Sequence, residues 1–217
     1  RSRGITAEVS GFGIHQQDPL TGAARAKALK ATPVPRHQLH NEQSLTGVVA
    51  PDATEVFFGS AELTIAWEEE FGRCVPDDAD NLIERIDHLN LAQPWQAFDE
   101  SVLFYTSTLD LQAQPAMEVP SPMGLVRSQV LHSENKEVRI ALNIVPHGLE
   151  ATIESNHQSP EHIAFCTTDI VTLARRAVEA GMHFLQVPAN YYEDLKARFN
   201  VEPEMMSELQ ELNLLLD

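Results

Sequence analysis

With 217 residues, 43% of them hydrophobic and 22% charged, the chain has room for one large or two small domains and an ordinary globular composition. A formal charge of −17 argues against a nucleic-acid partner, because no basic stripe is present to displace counterions, and against an anionic membrane surface. Two cysteines without close spacing, Cys74 and Cys166, argue against a disulfide framework and suit a reducing, cytoplasmic compartment, and no apolar run approaches the ~20 residues of a membrane span.

The first ten residues carry neither the apolar stretch of a secretory signal nor an initiator methionine, so a fragment or a processed chain is expected. GFGIH at 11–15 reads as a short apolar strand. A polar corner ending in Asp18 follows, then an Ala-rich amphipathic helix and an apolar strand closing on Val34-Pro35. Asp18 with Thr21 three residues on suits a helix start. Residues 68–84 are acidic, proline-containing and poorly periodic, which marks a linker. RIDHLNLA at 85–92 opens a second unit. It continues through the helix WQAFDESVLFYTSTL into strand candidates at 113–119, 124–133 and 138–145, separated by the turn signals SPMG and SENKE. The segment 162–188 then repeats 11–35: Asp18 matches Asp169, Thr21 matches Thr172 and Arg25 matches Arg176, all at an offset of 151. It too ends in an apolar strand candidate closing on Val-Pro. MMSELQELNLLL near the C-terminus has helical spacing, with Glu204, Glu208 and Glu211 on its acidic side.

The openings at about 11, 88 and 162 define a repeat of 74–77 residues. Each unit reads as a strand, a helix and about three antiparallel strands. One such unit leaves a sheet half exposed, so units should pair. The expected fold is α+β, built of paired βαβββ modules with mixed, mainly antiparallel sheets. By this count residues 1–67 are the second half of an N-terminal domain, 68–84 a linker, and 85–217 a C-terminal domain without its closing strands.

His88 and His162 hold one register in equivalent strands: an acidic residue, the histidine, then an apolar–small–apolar run. Equivalent positions of paired repeats face each other across a pseudo-two-fold axis, so the two rings can converge on one divalent metal. The alternative is that both are satisfied core histidines. Gly11 stands at this position in the first repeat. Two histidines leave an open site one ligand short of the 2-His-1-carboxylate set of non-haem Fe(II) oxygenases, and no later residue is an obvious third ligand. The remaining histidines have no paired spacing, Trp67 and Trp95 read as packing residues, and Tyr191 and Tyr192 read as seating a helix. No catalytic side chain is assigned. Phosphate loop, nucleophile elbow and CxxC are all missing.

DHLNL, VRSQV, LNIVP, EHIAF, the helix running into GMHFLQVPANYY, and ELNLLLD resemble the C-terminal domain of the 4-hydroxyphenylpyruvate dioxygenases, of the vicinal-oxygen-chelate (glyoxalase-like) superfamily with its curved sheets. QPWQAFDESVLFYTSTLDL and APDATEVFFGS are more similar to the dioxygenase-like module fused behind bacterial 3-dehydroshikimate dehydratase barrels of quinate and shikimate breakdown. The resemblance implies that His88 and His162 are metal ligands and that Ser128, Asn143 and the position of Glu161 face substrate. The dioxygenases usually carry Gln where this chain has Glu161, which sets a negative charge against an anionic keto acid. Their third ligand, a glutamate on a late strand, is expected beyond Asp217.

Three functions follow as expectations. One is a metal-binding module of a dehydratase fusion, holding Mg²⁺ or another divalent ion and covalently joined to the barrel. Another is a stand-alone Fe(II) dioxygenase acting on a small aromatic keto acid. The last is a metal-free binding or dimerisation module, in which a homo-oligomer would form.

Overall fold

The computed structural model describes residues 9–35, 42, 45–70, 72, 81–121, 124–144 and 161–216. Cys74, His37, His40, His147, His157 and most of the expected linker lie outside them. Strand β1 (Gly11–His15) runs parallel to β4 (Glu55–Gly59), with Gly11 opposite Glu55 and His15 opposite Gly59. Helix α1 (Pro19–Ala28) makes the crossover, and β2 (Thr32–Pro33) and β3 (Thr46–Val49) complete the antiparallel part of a sheet ordered β1-β4-β3-β2. Helix α2 (Ala61–Glu70) follows and takes in the first residues of the expected linker.

The second module has the same plan. Strand β5 (Arg85–Gln93) leads through a 3₁₀ turn at Trp95–Ala97 into α3 (Phe98–Leu109). After β6 (Gln112–Ala113), β7 (Met117–Ser121) and β8 (Gly124–His132), the last strand β9 (Arg139–Ile144) returns parallel to β5. Strand β10 (His162–Cys166), which opens the third repeat, borders β5 on its free side, giving the order β10-β5-β9-β8-β6 with β7 also on β8. In each complete module a parallel first–last pair joins antiparallel neighbours, so both sheets are mixed and mainly antiparallel, as expected.

The chain divides into two compact units, Arg1–Asp77 with Ile86–Ala164, and Asp78–Arg85 with Phe165–Asp217. The core of the first is one cluster that includes Val56 and Phe58 of β4, Leu91 of β5, Phe98 and Tyr105 of α3, Leu131 of β8, and Ile140 and Leu142 of β9. Each large side chain buried here contributes about 1.5–3 kcal/mol. Below it lies a polar knot. Asp52, in the turn between β3 and β4, accepts from Gln93 Nε2 at 2.5 Å, and Tyr105 donates to it at 3.3 Å. Burial first, and then the Asp52 charge, push the Tyr105 phenol above its ordinary range.

The second unit holds α4 (Ile170–Glu179), α5 (Ala189–Arg198) and α6 (Pro203–Glu211). Tyr192 and Leu195 of α5 pack on Met206 and Leu209 of α6. The Tyr192 hydroxyl donates to the Leu209 and Leu214 carbonyls at 3.0 and 3.2 Å, and Tyr191 donates to Leu216 at 2.8 Å. Both tyrosines therefore seat the helix. Glu208 and Glu211, read as a solvated face, meet Arg175 of α4 at 2.9 and 3.9 Å.

The repeat holds down to single hydrogen bonds. Asp18 and Asp169 cap α1 and α4, each accepting from the threonine hydroxyl three residues on at 2.7 Å. At the other ends, the amides of Leu29, Lys30 and Ala31 bond to the carbonyls of Arg25, Lys27 and Ala26. Those of Ala180, Gly181 and Met182 bond to Arg176, Val178 and Ala177, the same three bonds 151 residues later.

Three expectations are corrected. The strand read at 113–119 is broken into β6 and β7. Ala113 faces Leu131 and Met117 faces Ser128, so four steps oppose three and a bulge falls at Pro115, which has no N–H for the ladder. The apolar segment before Pro188 forms no strand, because among the described residues no ladder partner follows it as β3 follows β2. Trp95 is 55% exposed rather than packed. Among the described residues no helix is long and apolar enough to cross a membrane.

Candidate metal centre

Side chains alternate across a strand, so β5 sends Leu89, Leu91 and Gln93 to the α3 side and His88, Asn90 and Ala92 to the other. The register extends that second face: Asn143 of β9 lies opposite Ala92, and Ser128 of β8 lies opposite Asn143. His88 and Asn143 thus mark two ends of one polar strip, separated by about four residues of strand or ~13 Å. Asn90 sits between them and accepts from Asn143 Nδ2 at 2.6 Å, while Asn143 Oδ1 is buried without a hydrogen-bond partner.

At the near end, His88 Nε2 lies 3.1 Å from His162 Nε2, with the two rings almost perpendicular at 79°. The expected convergence of the two imidazoles is what the geometry displays. His88 Nδ1 is 2.9 Å from Asp87 Oδ2. An ionised carboxylate can only accept, so Asp87 offers a partner to a proton on Nδ1. Asp87 Oδ1 in turn accepts from Arg139 Nη2 of β9. Burial first, and then neighbouring His88, hold the His162 imidazole below its ordinary value of 6.5, which favours the neutral ring that a metal needs.

Two nitrogens about 2.1 Å from one ion and at right angles to each other stand about 3 Å apart, so the donor pair fits a divalent metal. A single N–H···N hydrogen bond fits the same distance. Among the described residues no three His, Cys, Asp or Glu side chains are placed to hold one ion together, so they supply no third ligand. A cavity of about 350 Å³ opens beside Asp87, His88 and Arg139, walled also by Phe12, His15 and Ile163.

Of the five residues singled out from sequence, His88 and His162 meet, and Ser128 and Asn143 share the His88 face. Glu161 is the residue before His162. It lies just before β10, accepts from the Val9 amide at 2.9 Å, and adds its charge to the field on Tyr105. Sequence reading passed over Asn90, Asp87 and Arg139. Alternation from His88 could have flagged Asn90, and Asp87 adjoins the ligand, but nothing local links either to β9.

The family model of the Glyoxalase/Bleomycin resistance protein/Dioxygenase superfamily matches residues 85–204. The chain is similar to a 3-dehydroshikimate dehydratase of Pseudomonas putida, 35% identical over 94% of this chain and 33% of that protein. It is also similar to a probable 4-hydroxyphenylpyruvate dioxygenase 2 of Aspergillus fumigatus, 32% identical over 61% of this chain and 36% of that protein. A solved xylose isomerase-like TIM barrel/4-hydroxyphenylpyruvate dioxygenase fusion protein superposes with a TM-score of 0.76 at 30% identity, covering 96% of this chain and 34% of its own. A 4-hydroxymandelate synthase mutant from Streptomyces coelicolor, at 17% identity and a TM-score of 0.70, covers 96% of this chain and 62% of its own and shares the fold. The chain spans about a third of the length of the curated relatives it matches.

Proposed function

Because this chain belongs to the Glyoxalase/Bleomycin resistance protein/Dioxygenase superfamily, we propose that it is the dioxygenase-like, metal-binding part of a longer protein that carries a 3-dehydroshikimate dehydratase barrel. The observation that carries the metal reading is the 3.1 Å approach of His88 Nε2 to His162 Nε2. The ion held there is Mg²⁺ or another divalent metal. When bound, it would supply positive charge for a chelating small acid. His88 and His162 would hold the ion, and Asp87 keeps a proton on His88 Nδ1. Asn143 Oδ1 and Ser128 would receive the far polar end of a small aromatic or keto acid laid along the strip. The fusion is supported by extent: likeness to the dehydratase runs over 94% of the chain, against 61% for the dioxygenase. The complete protein would then act in quinate and shikimate breakdown.

A second reading, an Fe(II) 4-hydroxyphenylpyruvate dioxygenase, is favoured by the same two histidines. The complete protein separates the two. Water loss from 3-dehydroshikimate, with a hard divalent ion and no oxygen uptake on 4-hydroxyphenylpyruvate, supports the fused module. Iron with oxygen uptake supports the dioxygenase, and a protein without stoichiometric metal overturns both.

A further inference from the structure

We propose that the Arg139–Asp87 ion pair is a positioning device that holds His88 with its proton on Nδ1 and its lone pair on Nε2, ready for an ion shared with His162. This rests on the reading of the two histidines as ligands. A free neutral imidazole prefers its proton on Nε2, which would block the donor atom. Asp87 reverses that preference by accepting from Nδ1 at 2.9 Å. Asp87 adjoins His88 in the chain and could swing into water, but Arg139 of β9 holds its other oxygen. Carboxylate partners of this kind orient metal-bound imidazoles and raise their basicity.

Stability is a poor account of the same contact. The Arg139 side chain is 41% exposed and that of Asp87 23%, and ion pairs so open to water contribute little to folding. The first module supplies an internal comparison. Its β1–β4 pair matches β5–β9, and Gly11, which takes the place of the ligand, faces Glu55 where the second module has Arg139. Ser10 stands where Asp87 would. Ligand, carboxylate and guanidinium are replaced together. In the third repeat the residue before His162 is also acidic, and this Glu161 accepts from the Val9 amide.

Long-range ¹H–¹⁵N NMR on the metal-free full chain reads the tautomer directly. His88 should carry its proton on Nδ1 in the wild type and on Nε2 in Asp87→Ala. Asp87→Asn, which keeps an acceptor oxygen, should restore the Nδ1 form, and Arg139→Gln should give a mixture. In a Co²⁺ titration, Asp87→Ala should weaken binding about 10–100-fold, with partial rescue by Asp87→Asn. An unchanged tautomer in Asp87→Ala, or an unchanged Co²⁺ affinity, overturns the positioning role. Failure of the wild-type chain to bind Co²⁺ overturns the metal reading beneath it, and the two failures are told apart because the tautomer is measured without metal.

Discussion

Lys30 and Gly181 occupy the same left-handed position just past two related helices, with φ of 62° and 88°. The backbone demands a conformation that costs a non-glycine residue about 1–2 kcal/mol, and only one copy of the repeat meets it with glycine. Lys30→Gly should therefore stabilise the protein by about 0.5–1 kcal/mol. Gly181→Ala should destabilise its own unit by about 1 kcal/mol, and no atom lies close enough to a new Cβ there to confuse the result. Urea unfolding of the two variants checks the opposite signs.

The paired caps predict an acid limb. The Thr21 hydroxyl and the Leu20 amide hold Asp18 below its ordinary 3.8, and the Thr172 hydroxyl and amide do the same for Asp169. A depressed folded value means the contribution is complete above 3.8 and is lost as pH falls through the folded value. Asp18→Asn with Asp169→Asn keeps both caps but removes their titration. Stability measured between pH 5 and 2 should fall less steeply in the double variant than in the wild type.

Tyr192→Phe removes the hydroxyl that donates to Leu209 and Leu214. Leaving those carbonyls short should cost about 1–3 kcal/mol. The loss should be local: hydrogen exchange should quicken in α5 and α6 and stay unchanged in β5 and β9.

Asp52→Ala should cost about 2–4 kcal/mol, because Gln93 and Tyr105, both fully buried, lose their acceptor together. Thermal unfolding of the variant checks it.

The features legible in sequence were those made by neighbours along the chain. The Asp18–Thr21 and Asp169–Thr172 pairs announced two helix starts, and the turn signals SPMG and SENKE marked off β8 and β9. Their common offset announced a repeat, and the repeat implied that His88 and His162 converge. Contacts made across the sheet were not legible. Arg139 reaches Asp87 from 52 residues away, and Asp52 reaches Gln93 from 41 away, and no spacing rule joins either pair. Apolar character alone also misled: the residues before Pro188 look like a strand, but a strand exists only where a ladder receives it.

The central claim, one ion shared by His88 and His162, is tested most directly by equilibrium dialysis of the full chain against Mn²⁺, with His88→Ala, His162→Ala and the double variant alongside. One ion per chain in the wild type, with each single substitution losing as much binding as the double, is the predicted result. Binding that survives either single substitution, or a wild-type chain that takes up no ion, would contradict it and leave the 3.1 Å approach as an ordinary N–H···N hydrogen bond.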